Sequence, residues 1–221
     1  MERKISTLVF DLDGTLLNTL DDLAASTNHA LVRFSLPERS IDEVRQFVGN
    51  GVRKLIERAV PAGTPAEVTE EVFKCFKQHY ALHCMDRTDL YPGVAKMLED
   101  LAGAGYRAAI VSNKLQSGVD ELYHHFFSRT VTAAIGEREG VRRKPQPDMV
   151  LLALKEMKAT KGEAVYIGDS DVDIATAANA GLPCISVLWG FRDRSFLVEH
   201  GAMRFAETPA DVLPLLQRLE Q

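Results

Sequence analysis

With 221 residues, 46% of them hydrophobic and 26% charged, the chain is long enough for one large soluble domain or for a domain with a smaller insert. A net charge of −5 argues against the basic stripe that a nucleic-acid surface needs, although a local cation or metal can still attract an anionic substrate. No stretch approaches the ~18 apolar residues of a membrane span, and Met1 to Ser6 lacks the apolar segment and cleavage site of a secretory leader.

Cys75, Cys84 and Cys184 are odd in number and form no CxxC, which suggests reduced thiols. The expected setting is therefore the cytoplasm, with neither nucleic acid nor membrane as a partner. The sequence does not choose between a monomer and a homodimer.

The first element is the apolar run Thr7–Phe10, continuous rather than alternating, as in a strand buried on both faces. It runs directly into Asp11-Leu12-Asp13-Gly14-Thr15. In open parallel sheets ligands sit at the carboxyl ends of strands, so Asp11 and Asp13 stand where chemistry is expected. Gly14 permits a turn that other residues resist.

From about Thr19 to Asp86 no strand is predicted. Apolar residues recur there at helical spacing: Leu20, Leu23 and Leu31; Val44, Phe47 and Val48; Val52, Leu55 and Ile56; Val72, Phe76 and Tyr80. Breaks fall at Leu36-Pro37, Gly49-Asn50-Gly51 and Pro61–Pro65. His79 and His83 are four apart on the last of these helices, a spacing that can bind metal, but the other ligands of such a site are missing.

Beyond the insert, strands and helices alternate. A helix opens at Pro92-Gly93 and runs to about Leu101. The strands Ala108–Val111, Val131–Ile135, Ala164–Ile167 and Cys184–Leu188 follow, with helices after Asn113, after Pro147 and over Val172–Ala180. This order predicts a parallel sheet with helices on both sides.

Three more segments sit at strand ends. Ser112-Asn113-Lys114 offers a hydroxyl and an amide that can donate to phosphate oxygens or cap the next helix. Arg142-Arg143-Lys144-Pro145-Gln146-Pro147 fixes a lysine between stiff prolines, a compact charge suited to a phosphoryl group. Gly168-Asp169-Ser170, followed by Asp171 and Asp173, is a second acidic strand end. One such aspartate alone reads as a turn or helix cap. Two acidic strand ends that converge repel unless a cation neutralises them, and an all-oxygen ligand set favours magnesium.

In this order, the DxDGT run at Asp11–Thr15, Ser112-Asn113, Lys144, and Gly168-Asp169 with Asp173 resemble the four motifs of the haloacid dehalogenase-like hydrolase superfamily. The resemblance implies an α/β fold. It has a Rossmann-like three-layer core with a parallel sheet over residues 1–18 and 87–221. An all-helical cap domain over 19–86, inserted after the first strand, closes over the site and helps choose the substrate. Within that cap, the segment around Gly49, Asn50, Gly51 and Arg53 is similar to phosphoglycolate phosphatases.

What the resemblance implies for chemistry is a magnesium-dependent phosphatase working through an aspartyl-phosphate. Asp11 is then the nucleophile and Asp13 the general acid and base. Lys144 stabilises charge, and Ser112 and Asn113 bind phosphate oxygens. Asp11, the backbone carbonyl of Asp13 and Asp169 hold Mg2+, and Asp173 orients Lys144 or a metal-bound water. Asp13 argues against dehalogenation, because a halide needs no proton. The substrate class is a small phosphorylated metabolite, 2-phosphoglycolate in the first place. Pyrophosphate, nucleotide and sugar phosphate substrates, a phosphomutase of the same superfamily, and a non-catalytic phosphate-switched module are the alternatives.

Overall fold

The computed structural model describes residues 5–219, so Met1–Lys4, on which the leader reading partly rests, lie outside the described residues. The chain divides into two compact units. One holds residues through 16 together with those from 90 onward; the other is Leu17–Asp89. Among the described residues no helix is long and apolar enough to cross a membrane.

The strands in chain order are β1 (Thr7–Phe10), β2 (Leu17–Asn18), β3 (Asp89–Leu90), β4 (Arg107–Leu115), β5 (Val131–Glu137), β6 (Ala164–Gly168), β7 (Cys184–Val187) and β8 (Phe205–Ala206). Six of them form one sheet in the order β5-β4-β1-β6-β7-β8, and the pairings within it are parallel. β2 and β3 make a separate ribbon where the chain enters and leaves the insert. The sheet agrees with the alternation of apolar runs and helices in the sequence. The short edge strand β8 is too brief to show a period.

The helices are α1 (Leu20–Arg33), α2 (Ile41–Phe47), α3 (Val52–Ala59), α4 (Ala66–His83), α5 (Val94–Gly103), α6 (Gln116–Leu122), α7 (Asp148–Glu156), α8 (Asp171–Ala180), α9 (Arg194–Glu199) and α10 (Val212–Leu219). One face of the sheet, carrying Val9, Ala109, Val111 and Tyr166, packs against Met149, Val150 and Leu154 of α7 and Ala177 and Ala180 of α8. Successive strand residues point to opposite faces, so Leu8, Phe10 and Ile110, all fully buried, face the other layer. There α5 lies on β4 and on α10.

One boundary differs from the sequence reading. A helix was expected directly after Asn113, but β4 continues to Leu115, which pairs with Glu137. The continuation carries an irregularity between Val111 and Leu115, so no simple strand pattern reveals it. Ser112 and Asn113 therefore lie inside a strand and cap no helix.

The second unit is all helix apart from its ribbon. α1 packs on α4, α1 on α2, and α2 on α3. Leu23, Leu31, Val44, Ile56, Val72 and Phe76 form its buried interior. Ser40 and Glu43 form a capping box that starts α2. Asp22, buried in α1, accepts from the backbone N–H of Arg87 at 3.0 Å, the N–H of Thr88 at 2.9 Å and the Thr88 hydroxyl at 2.8 Å. That carboxylate ties the end of the insert to its beginning.

Truncating Asp22 leaves buried donors unpaired, which costs about 1–3 kcal/mol. Asp22→Ala is therefore expected to lower the unfolding free energy of the helical unit by that amount, read as a lower denaturant midpoint, with Asp22→Asn intermediate. A midpoint equal to wild type would show that the carboxylate contributes nothing there.

Candidate active site

The site is built on the carboxyl ends of β1, β4 and β6, side by side in the sheet. Phe10 is level with Ile110 on one side and Ile167 on the other. Asp11 therefore emerges beside the ends of both neighbours, and its N–H is held by the Ile167 carbonyl at 2.9 Å.

Lys144 reaches in from the loop between β5 and α7. Its side chain is 2% exposed. Its Nζ donates to Asp11 Oδ1 at 2.6 Å, Asp173 Oδ1 at 2.8 Å and the Tyr166 hydroxyl at 3.2 Å. The backbone of Lys144 is clamped by the Asn113 side chain, which accepts from its N–H at 2.9 Å and donates to its carbonyl at 3.1 Å. The Lys144–Pro145 peptide bond is cis. Burial alone would push the lysine pKa down, but Asp11 and Asp173 outweigh it and hold the group above its usual range.

Asp173 is the most heavily bonded of the carboxylates. Oδ1 takes Lys144 and, at 2.9 Å, the Tyr166 hydroxyl. Oδ2 takes the N–H groups of Asp169 and Ser170 at 3.2 and 3.1 Å and the Ser170 hydroxyl at 2.6 Å. Ser170 and Asp173 together form the capping box of α8. Asp171 is simply the first residue of that helix.

Asp169 accepts from the Thr15 hydroxyl at 3.1 Å and from the Phe191 N–H at 2.8 Å. Desolvation by burial, with the charge of Asp173, pushes its pKa up to about 7. Burial together with Asp173 and Asp169 also pushes Asp11 well up, against the opposing pull of Lys144.

Oxygens of Asp11, Asp169 and Asp173 lie within 4.8 Å of one another. Three carboxylates face one ammonium, and desolvation by burial, joined by the charge of Asp173, makes ionisation of Asp11 and Asp169 harder. A divalent cation is the natural balance for their charge. Asp173 is fully used by protein donors, so Asp11 and Asp169 are the carboxylates suited to hold such an ion. Asp11 Oδ2 accepts no hydrogen bond from any described residue.

Asp13 follows Asp11 by two residues, beyond the end of β1. Its Oδ1 is buried with no hydrogen bond, and Lys114 Nζ stands 3.2 Å away as an ion pair. Ser112 is buried, and its hydroxyl accepts from the Lys114 N–H at 3.1 Å.

The sequence-predicted residues Asp11, Asp13, Ser112, Asn113, Lys144, Asp169 and Asp173 thus belong to one cluster. Gly49, Asn50, Gly51 and Arg53 lie in the helical unit. There Gly49 and Gly51 have positive φ, Arg58 donates to Asn50 Oδ1 at 2.6 Å, and Arg53 pairs with Glu70 at 2.8 Å over the Phe73 ring.

One contributor went unread in the sequence. Tyr166 looked like a strand core residue, and its hydroxyl is visible only through its partners. The segment after β7 also lies at the site. Gly190 leaves no room for a side chain: a Cβ there would stand 2.4 Å from Asp169 Cβ and from the Gly14 carbonyl. Trp189 donates to the Thr15 carbonyl at 2.9 Å. Arg192 is buried, lies over the Phe196 ring, and eases ionisation of Asp169. The Trp-Gly-Phe run was the available signal.

Comparisons with known proteins give the family and the fold. The family model described as "Haloacid dehalogenase-like hydrolase" matches residues 8–187. Phosphoglycolate phosphatase 1 of Pseudomonas aeruginosa is 31% identical over 94% of this chain and 78% of its own. The phosphoglycolate phosphatase of Mesorhizobium japonicum is 36% identical over 85% of this chain and 84% of its own. A crystal structure from Lactobacillus delbrueckii subsp. bulgaricus superposes with a TM-score of 0.92 at 31% identity, covering 98% of this chain and 99% of that one.

Gly190→Ala would force Asp169 and the Gly14 turn apart. Overpacking of this kind costs about 1–3 kcal/mol. The variant is expected to melt earlier than wild type and to bind divalent cations more weakly, as read by calorimetric titration. Wild-type values for both would mean that the loop yields freely.

Proposed function

Because the chain belongs to the haloacid dehalogenase-like hydrolase family, we propose that it is a magnesium-dependent phosphatase that hydrolyses a small phosphate monoester through a phosphorylated Asp11. The observation that carries this reading is the pairing of Lys144 with one oxygen of Asp11 while the other accepts no hydrogen bond from a described residue. A carboxylate so held has one oxygen fixed and one directed to an electrophile. The likeness to proteins named phosphoglycolate phosphatase supports 2-phosphoglycolate as the substrate, and the odd, unpaired cysteines keep the cytoplasm as the proposed setting.

Each residue then has a task. Asp11 Oδ2 attacks phosphorus in line as the ester oxygen departs. Asp13 gives that oxygen a proton and later takes one from the water that hydrolyses the acyl phosphate. Lys144 lessens the repulsion between the Asp11 carboxylate and a phosphate dianion. Ser112 and neighbouring backbone amides hold phosphoryl oxygens. Asp173 keeps Lys144 in place. Asp11, the Asp13 carbonyl and Asp169 would hold magnesium, which when bound offsets the charge on the phosphoryl oxygens. In the helical unit, the segment with Gly49, Asn50, Gly51 and Arg53 is the proposed substrate loop.

The test is phosphate release from a panel of small esters, with magnesium and with chelator. Magnesium-dependent release led by 2-phosphoglycolate is expected, and no release from any ester by folded protein would overturn the reading. Asp11→Asn is expected to lose about 10³-fold or more in kcat; substantial turnover by that variant would remove the nucleophile assignment.

Asp13→Asn is expected to slow esters with poor leaving groups far more than aryl phosphates, because only the former need the proton. An equal loss on both, compared by kcat/KM, would argue against its acid role.

A further inference from the structure

We propose that Lys114 is the residue that selects the substrate, binding the carboxylate of a 2-phosphorylated hydroxy acid beside the ester oxygen served by Asp13. The inference deepens the proposed function and rests on it. Lys114 is carried into the site by the continuation of β4 past Val111. Its side chain is only 5% exposed. Gly118 of α6 makes space for the stem: a Cβ there would lie 3.3 Å from Lys114 Cδ and 3.4 Å from Cγ. The chain therefore holds a long cationic side chain in place at a point where the nucleophile already has a lysine of its own.

The partner of Lys114 indicates its purpose. Nζ stands 3.2 Å from Asp13 Oδ1, yet that oxygen has no hydrogen bond in satisfactory alignment. Lys114 is close enough to Asp13 for one ligand to meet both. Asp13 must lie within hydrogen-bond reach of the leaving oxygen. In 2-phosphoglycolate the carbon bonded to that oxygen also carries the carboxylate. A cation adjacent to Asp13 is then adjacent to the carboxylate. Sugar phosphates and glycolaldehyde phosphate present no negative charge at that position, so the ammonium gains no ion pair from them. An ammonium has three donors, and a charged acceptor is the strong partner for a desolvated one.

The experiment compares kcat/KM for 2-phosphoglycolate and for glycolaldehyde phosphate, which share the ester linkage and differ in the carboxylate. Wild type with magnesium is expected to favour the acid by about tenfold or more, the worth of one hydrogen bond to a charged group. Lys114→Gln should shrink that ratio by about the same factor, and Lys114→Arg should retain part of it. A general disturbance of Asp13 lowers both esters together and cancels in the ratio. A preference that survives Lys114→Gln overturns the inference, as does a wild type that lacks the preference but hydrolyses both esters. In that last case the phosphatase reading stands. If the wild type releases phosphate from no ester, the phosphatase reading fails and this inference with it.

A measurement on the wild type alone covers the case of a variant that does not fold. In a crystal of the enzyme with 3-phosphonopropionate, which replaces the ester oxygen by CH2, the carboxylate is expected against Lys114 Nζ. A carboxylate seated elsewhere overturns the assignment.

Discussion

The buried ammonium of Lys144 between Asp11 and Asp173 is the interaction on which the rest of the site depends. A lysine removed from water tends to lose its proton, and a carboxylate removed from water tends to gain one. Here each offsets the other, with Lys144 Nζ 2.6 Å from Asp11 and 2.8 Å from Asp173. The arrangement extends outward from both ends. Asp173 gathers the turn after β6 and the first residues of α8 through its second oxygen. Asn113, near the end of β4, grips the Lys144 backbone in both directions. Elements far apart in sequence are thereby fixed around one charge, and removing either acid leaves a buried cation short of a partner, a change that costs several kcal/mol at comparable sites.

Close approach makes this packing possible. Gly14, Gly168 and Gly190 each leave a space that a Cβ would close, against Asp169, Asp173 and Asp169 respectively. Gly14 also has φ of 90°, a conformation that side-chain-bearing residues resist. These glycines let carboxylates sit within a few ångströms of backbone. That proximity desolvates Asp11 and Asp169 and raises their pKa values, so the site is poised to take up positive charge.

What could be read in the sequence was local. The strands β1, β4, β5, β6 and β7 and most helices followed from unbroken apolar runs and helical spacing. Asp11, Asp13, Lys144 and Asp169 stood out because charge followed directly on a buried strand or lay between prolines. Other contributions were invisible because they exist only across long separations. Thr15 and Asp169 are 154 positions apart, and Lys144 and Tyr166 are 22 apart. Tyr166 and the Phe191 N–H carry no local mark of function. The overrun of β4 was missed because an irregularity interrupts its pattern. His79 and His83 show the converse. Their helical spacing can bind metal but the sequence offers no further ligands, and in the structure His79 bonds Ser26 at 3.0 Å and stacks on His29 and His83, while His83 bonds Asp86 at 2.8 Å. Their contacts explain them as part of the helical unit.

The two lysines give the two aspartates of the DxDGT turn different surroundings. Asp11 and Asp13 are two residues apart, yet each meets its own ammonium. Lys144 comes from the loop before α7, and Lys114 from the end of β4. As the proposed nucleophile, Asp11 has to keep one geometry throughout the reaction, and the Lys144 pair is short, buried and supported by Asn113, Tyr166 and Asp173. As the proposed acid and base, Asp13 has to exchange protons with changing partners, and the Lys114–Asp13 pair is longer and leaves Asp13 Oδ1 without a hydrogen bond. If one lysine had served both carboxylates, tightening it for the nucleophile would have immobilised the acid. Two lysines on separate elements remove that conflict, and the one with the longer carboxylate pair is the one proposed to meet a charge on the substrate.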